Sequence, residues 1–148
     1  MKRRVPHGER GSTLAEFAIA VTASMTLIAG TVEFGRALYT FHLISNVARL
    51  ATRYAIVRGS SCTVTGCPAT SDSIQTYVRG LTTELNTSNV TARTTWSSST
   101  ECSGSPYNGP GCLVSVQVTY PFNFAPAIPM VPTFPIQITS TSTMIISQ

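Results

Sequence analysis

Of the 148 residues, 43% are hydrophobic and only 11% charged, far below the ~25% charge usual in soluble proteins, which points to a membrane segment, to secretion or to both. The net charge of +4 sits mostly in the first eleven residues, where Lys2, Arg3, Arg4 and Arg10 face only Glu9; from Ser12 onward six basic residues meet five acids. A charge confined to a leader gives no ground for nucleic-acid binding, and the length suits one ordinary domain or an anchor plus a small domain.

Residues 1–11, MKRRVPHGERG, combine a positive cluster with a proline and two glycines and show no apolar periodicity. They read as a cytoplasmic leader and not as an ordinary secretory signal, because the apolar stretch behind them does not end in a small-residue cleavage site. Basic residues beside an apolar run favour the cytoplasmic side, which puts the N-terminus inside; Arg36 on the far flank is a weaker opposing vote. From Phe17 to Val32 there is no charge. Leu14 and Ala15 in front, and Phe34 behind, bring this run to the ~20 residues that cross a bilayer, over about 14–35. Small residues dominate it (Ala18, Ala20, Thr22, Ala23, Ser24, Thr26, Ala29, Gly30). They let helices approach closely within a membrane and so suggest helix–helix packing; a merely weak anchor is the alternative.

The helical pattern continues past the membrane boundary. From Glu33 to Arg58 there is no proline, and the only glycine is Gly35. Phe34, Leu38, Phe41, Ile44, Ala48, Ala51 and Ala55 share one face, with Tyr39, Leu43, Val47, Leu50 and Tyr54 broadly opposite. His42, Asn46, Arg49 and Arg53 form a narrow polar stripe between them. Two apolar faces imply two packing partners, the chain's own downstream domain and a neighbouring subunit. The two arginines either meet acids on a partner or are simply solvated. Gly59, followed by two serines, ends the helix. At ~1.5 Å per residue it spans about 65–70 Å, roughly twice the membrane core.

Residues 59–148 read as a small α+β domain. Four cysteines fall into local pairs, Cys62 with Cys67 and Cys102 with Cys112. Two disulfides in an oxidising compartment fit this pattern, although four cysteines allow three connectivities. A zinc site is the rival, and the nine-residue second gap without a nearby histidine argues against it. Ser71 and Asp72 are N-cap candidates for a second helix through about Leu85, with Ile74, Val78, Leu81 and Leu85 on one face. Val90 to Trp96 alternates as a strand, Leu113 to Phe122 does so most clearly, and Ile136 to Ile146 supplies the last. The proline-rich stretch PFNFAPAIPMVPTFP between the second and third strands reads as a semi-extended crossover on the domain surface, because proline lacks the ladder donor. One further helix, a roughly three-stranded antiparallel sheet and the back of the long helix complete the fold class. The core is thin, so the disulfides and the long helix should matter to stability.

Nothing in the sequence suggests an enzyme. Beyond residue 58 there is no histidine, and the acids are only Asp72, Glu84 and Glu101. There is no nucleophile elbow, phosphate loop, paired carboxylates or metal-ligand cluster, so no catalytic residue, metal or cofactor is assigned.

The specific signal is the string Gly11-Ser12-Thr13-Leu14-Ala15-Glu16-Phe17, which resembles the type IV prepilin cleavage motif. Val32-Glu33-Phe34-Gly35-Arg36-Ala37, Asn46-Val47-Ala48-Arg49 and Ala51-Thr52-Arg53-Tyr54-Ala55 resemble the TadE-like family, minor pilins or pseudopilins of the tight-adherence (Flp) pilus. The resemblance is strong over about 10–58, and beyond that only the general shape agrees. It implies cleavage between Gly11 and Ser12 by a prepilin peptidase, a pilin-like helix, and a role in pilus assembly for adhesion and surface colonisation. It also implies partnership with other pilin subunits, inner-membrane assembly proteins and membrane lipid. The chain would sit single-pass in a bacterial inner membrane, N-terminus cytoplasmic and domain periplasmic, and enter the pilus after processing. Glu16 would then pair with the terminal amine of an adjacent subunit. Thr13 to Glu16 also fits a capping box, which is the plain structural reading of the same residues. Glu33 and Arg36, three apart, can pair on the helix surface or merely anchor at the membrane interface. The alternative to a pilin is a membrane-anchored periplasmic interaction protein that never polymerises.

Overall fold

A computed structural model of the chain describes residues 9–100, 102, 107–124 and 135–147, with side chains in the first helix from Ser12 onward. Most of the leader and the centre of the proline-rich crossover lie outside these residues. The fold is α+β, in the order α1 (Glu9–Ile56), α2 (Ser71–Leu81), a short 3-10 turn (Thr87–Asn89), β1 (Thr91–Ser97), β2 (Leu113–Phe122) and β3 (Ile136–Ile145). Two compact units divide it, Met1–Arg36 and Ala37–Gln148.

In the first unit the described side chains of α1 are exposed from Ser12 to Val32, as they must be if no other part of the chain covers this apolar run. Its hydroxyls do not compete with the helix. Thr22 and Thr26 donate to the carbonyls of Ala18 and Thr22 at 2.7 and 2.8 Å, and Ser24 donates to Ala20 at 2.8 Å. Such back-bonding satisfies a hydroxyl inside its own helix, which suits an apolar surrounding with no water to offer.

In the second unit the sheet is antiparallel in the order β1-β2-β3. The alternation of β2 sends Val114, Val116 and Val118 fully into the core. Each such side chain contributes about 1.5–3 kcal/mol by burial. β1 turns Ala92, Thr94 and Trp96 the same way, and β3 turns Ile138 and Met144. Pro121 belongs to β2, opposite Gln137 of β3. Pairing with β1 ends at Thr119, so the missing N–H of Pro121 interrupts no bond to β1.

Against this sheet α1 presents one buried stripe, drawn from both of the apolar faces its sequence suggests. Ile44, Val47, Ala48, Ala51 and Ala55 are buried, with Thr40 and Thr52 among them. Three alanines on the stripe keep the helix backbone close to the strands. Thr52 is tolerated there because its hydroxyl is satisfied, with Ala48 O at 2.8 Å and Ser142 O of β3 at 3.2 Å. Val47 therefore joins the core, whereas Leu38 and Phe41 of the same unit, expected on the packed face, stand about half exposed.

Helix boundaries also differ from the sequence reading. α2 is capped by Thr70, not by Ser71 or Asp72, in a reciprocal box with Ser73. It ends at Leu81, four residues early, where the Thr82 N–H turns to Arg79 O at 3.3 Å, an i−3 partner, instead of the i−4 carbonyl that would continue the α-helix. Leu85 still packs against the core without being helical. α1 ends at Ile56, two residues before Arg58. Tyr54 stacks on Tyr77 of α2 at 4.4 Å, and the Arg58 guanidinium lies 3.9 Å over the Tyr54 ring. This stack joins the end of α1 to α2 and gives the arginine an aromatic seat.

Two disulfides are formed, Cys62–Cys67 and Cys102–Cys112, with Cα atoms 5.7 and 4.7 Å apart. The second is buried and part of the core, and it ties the loop after β1 to the start of β2. The ends of the domain are sewn together by backbone bonds: Ser60 N to Asn108 O at 2.8 Å, Ala69 N to Arg58 O at 2.8 Å and Ser147 N to Ile56 O at 3.3 Å.

Candidate functional site: the N-terminal helical segment

The residues singled out at the head of the chain all lie on α1. Ser12, Glu16 and Phe17 are exposed side chains; Phe17 retains 67% of its accessible surface. The helix starts at Glu9, so Gly11 is inside it and Thr13 is four residues past its first residue. Thr13 is therefore not an N-cap in the intact chain, and the capping-box geometry for Glu16 is not present there. A carboxylate at an exposed position within an apolar helix is costly in a membrane unless a cation or a donor meets it.

Below it, Ala18, Thr22, Ala23 and Thr26 line a shallow groove between Ile19 and Leu27. A Cβ placed on Gly30 would meet no atom within 4 Å, and the same holds for Gly35. These glycines answer no packing need inside the chain. Small side chains between larger ridges form a surface onto which a second helix can be laid closely.

Glu33 is the exception in this unit: it retains only 8% of its accessible surface. Arg36 donates to its carboxylate at 2.6 Å, with the Arg36 side chain about half exposed. Phe34 beside them is exposed at 68%. The strongly sequestered Glu33 is the feature that sequence spacing could not convey, since an (i, i+3) pair is ordinarily a surface pair.

In the second unit the Tyr39 hydroxyl donates to the Glu84 carboxylate. That hydrogen bond, reinforced by the carboxylate charge, raises the Tyr39 pKa above its ordinary value. Gln75 was not marked by the sequence, yet it holds two elements together: its Nε2 donates to Val90 O at 2.9 Å, and its Oε1 accepts from Ala92 N at 2.5 Å. His42, Asn46, Arg49 and Arg53 are all exposed along α1. Among the described residues no three His, Cys, Asp or Glu side chains gather as a metal site.

These features define a class: a chain with one N-terminal helix long and apolar enough to cross a membrane, and a small disulfide-linked α+β domain. Residues 11–53 match the family model for TadE-like protein, from the glycine of the cleavage-like motif to three residues before the end of α1. Residues 54–148 lie outside the match. No curated protein and no solved structure matches the chain.

Proposed function

We propose that the chain is a minor pilin or pseudopilin precursor of a tight-adherence pilus, cut after Gly11 and drawn into a bundle of like helices. The observation that carries this reading is the TadE-like match over residues 11–53 falling on a helix whose side chains are exposed from Ser12 to Val32. Such a surface needs lipid first and neighbouring helices later. Removal of residues 1–11 would take away four basic residues and one acid, and would create an amine on Ser12 one helical turn from Glu16. An amine from an adjacent subunit is then the cation that offsets Glu16 in a low-dielectric setting. The domain would lie on the periplasmic side of the inner membrane before assembly, where its disulfides form.

The supporting experiment is N-terminal sequencing of the membrane-extracted protein in cells that carry a prepilin peptidase. The mature chain should begin at Ser12, and Gly11→Phe should abolish the cut. An intact Met1 in the parent protein would sink the proposal and favour an anchored, non-polymerising interaction protein. Glu16→Ala should leave cleavage and insertion unchanged while lowering recovery in sheared filaments. Equal recovery would remove the pairing role from Glu16.

A further inference from the structure

The three-stranded sheet has two edges, and the chain treats them differently. In the antiparallel ladder the backbone groups of alternate residues point to opposite sides. Ile146 N donates to Cys112 O at 2.8 Å, and Cys112 is opposite Ile146 one step beyond the Leu113–Ile145 pair. The even-numbered residues of β3 therefore bond to β2, and Gln137, Thr139, Thr141, Thr143 and Ile145 point their N–H and C=O groups away from it. Applied to the other edge, the same parity sends the Ala92 N–H away from β2, because Val118 spends its own groups on Ser140.

That outward Ala92 N–H is the group which Gln75 accepts, while the same amide donates to Val90 O. A side-chain amide from α2 thus stands where a fourth strand would pair, and Arg93 adds a charge to the strand. On the β3 side the end of α1 meets only Ser147, whose outward N–H donates to Ile56 O at 3.3 Å; along Ile136–Ile145 no described side chain takes the outward backbone groups. β3 is ten residues long, and Ile136–Ile145 contains no charge and no proline. A long, uncharged, unpaired edge is a template for another strand.

The sequence of β3 says which strand. Around Thr141 it reads nearly the same in both directions: Ser140 mirrors Ser142, Thr139 mirrors Thr143, Ile138 mirrors Met144 and Ile136 mirrors Ile146, with Gln137 against Ile145 the one unlike pair. An antiparallel copy centred on Thr141 sets Thr139 against Thr143 and Thr141 against itself on the solvent face, with Gln137 beside Ile145 at the ends, and on the core face Ser140 meets Ser142 and Ile138 meets Met144. Every outward N–H and C=O then meets an outward partner, since 139 pairs with 143 and 141 with itself. The solvent face of the sheet already runs such contacts across to β2, with Thr143 Oγ1 donating to Ser115 Oγ at 2.9 Å and Thr119 Oγ1 3.1 Å from Thr139 Oγ1. Cross-strand Thr pairs are favourable, and an uncharged strand brings no like charges together. Self-complementarity about one residue is also what a two-fold contact requires.

We propose that the free edge of β3 pairs antiparallel with β3 of a second copy of this chain, in register about Thr141, to make one continuous six-stranded sheet. The inference is independent of the cleavage and assembly reading, because an anchored protein that never polymerises would carry the same edge.

The test uses the full chain in detergent. Thr141→Cys sets two thiols opposite each other in a hydrogen-bonded pair with Cα atoms about 5.5 Å apart, within disulfide reach. Mild oxidation should yield a covalent dimer, and the exposed control Thr95→Cys on β1 should not. Thr141→Lys sets like charges across the axis and leaves the backbone ladder of β3 to β2 in place, at the loss of the long Gln117 Nε2 to Thr141 Oγ1 contact of 3.4 Å. It should raise the dimer dissociation constant at least about tenfold by sedimentation, with Trp96 fluorescence showing an intact domain. Association through α1 alone predicts no difference between the variants at 141 and 95. That result, no dimer of Thr141→Cys, or an unaltered Thr141→Lys dimer overturns the proposal.

Discussion

Gln75 offers the sharpest test of how the domain is held. Gln75→Leu keeps the approximate size of the side chain and removes two hydrogen bonds at once, those to Val90 O at 2.9 Å and from Ala92 N at 2.5 Å. A net contribution of about 0.5–1.5 kcal/mol per bond puts the loss at roughly 1–3 kcal/mol. Both contacts are part-buried, so water can reach the stranded groups and the loss should fall in the lower half of that range. For a domain of this size the thermal midpoint should drop by roughly 5–15 °C. Trp96, the single tryptophan, lies on β1 beside the perturbed segment and reports the transition by fluorescence with both disulfides intact. Amide exchange adds a local reading: the Ala92 N–H should lose its protection while Val116 and Val118 keep theirs. A midpoint within about 1 °C of the parent, or an Ala92 amide that remains protected, would refute the view that this side chain closes the β1 edge.

Two further outcomes follow from the same geometry. Gly30→Leu meets no atom of its own chain, so domain unfolding should be unchanged, whereas recovery in sheared filaments should fall about fivefold or more if a neighbouring helix packs there at a cost near 1 kcal/mol; unchanged recovery removes Gly30 from the contact. The Glu84 carboxylate raises the Tyr39 pKa, so the tie between them is present below the ordinary phenol value of about 10 and is lost as pH climbs through the higher folded value. Carbon NMR at the Tyr39 ring should show a midpoint above that ordinary value, returning to it in Glu84→Gln; equal midpoints in the two proteins contradict the assignment.

Much of the fold was legible because its determinants are periodic and local. Alternation in β2 identifies Val114, Val116 and Val118 as core, and the proline-free run after Glu33 identifies a helix. The errors arose where a polar group overrides the pattern. The Thr82 N–H ends α2 by turning to Arg79 O instead of the i−4 carbonyl, while Leu85 preserves the apolar spacing and so conceals the break. Thr52 is buried because Ser142 O, ninety residues away, receives its hydroxyl, and no local signal carries that. The buried stripe of α1, centred on Ala48 and Ala51, also takes Val47 from the opposite apolar face, which spacing alone does not foretell. Gln75 looks like any exposed helical glutamine until β1 is folded beside it. At the head of the chain the legible signal is a motif and not a period, and the family match over residues 11–53 covers it. The near-palindrome of β3 is visible in the sequence, but it acquires meaning only once the sheet order leaves that strand at an edge.

The central claim is that the helix beginning near Gly11 ends up in a filament. The most direct measurement is mass spectrometry of tryptic peptides from sheared surface filaments, aimed at the N-terminal fragment of this chain. Because Arg36 is the first basic residue after Arg10, the account predicts a peptide running from Ser12 to Arg36 with a free amine at Ser12. Absence of the chain from filaments that contain other pilins, with the protein retained in the membrane and still starting at Met1, would contradict it.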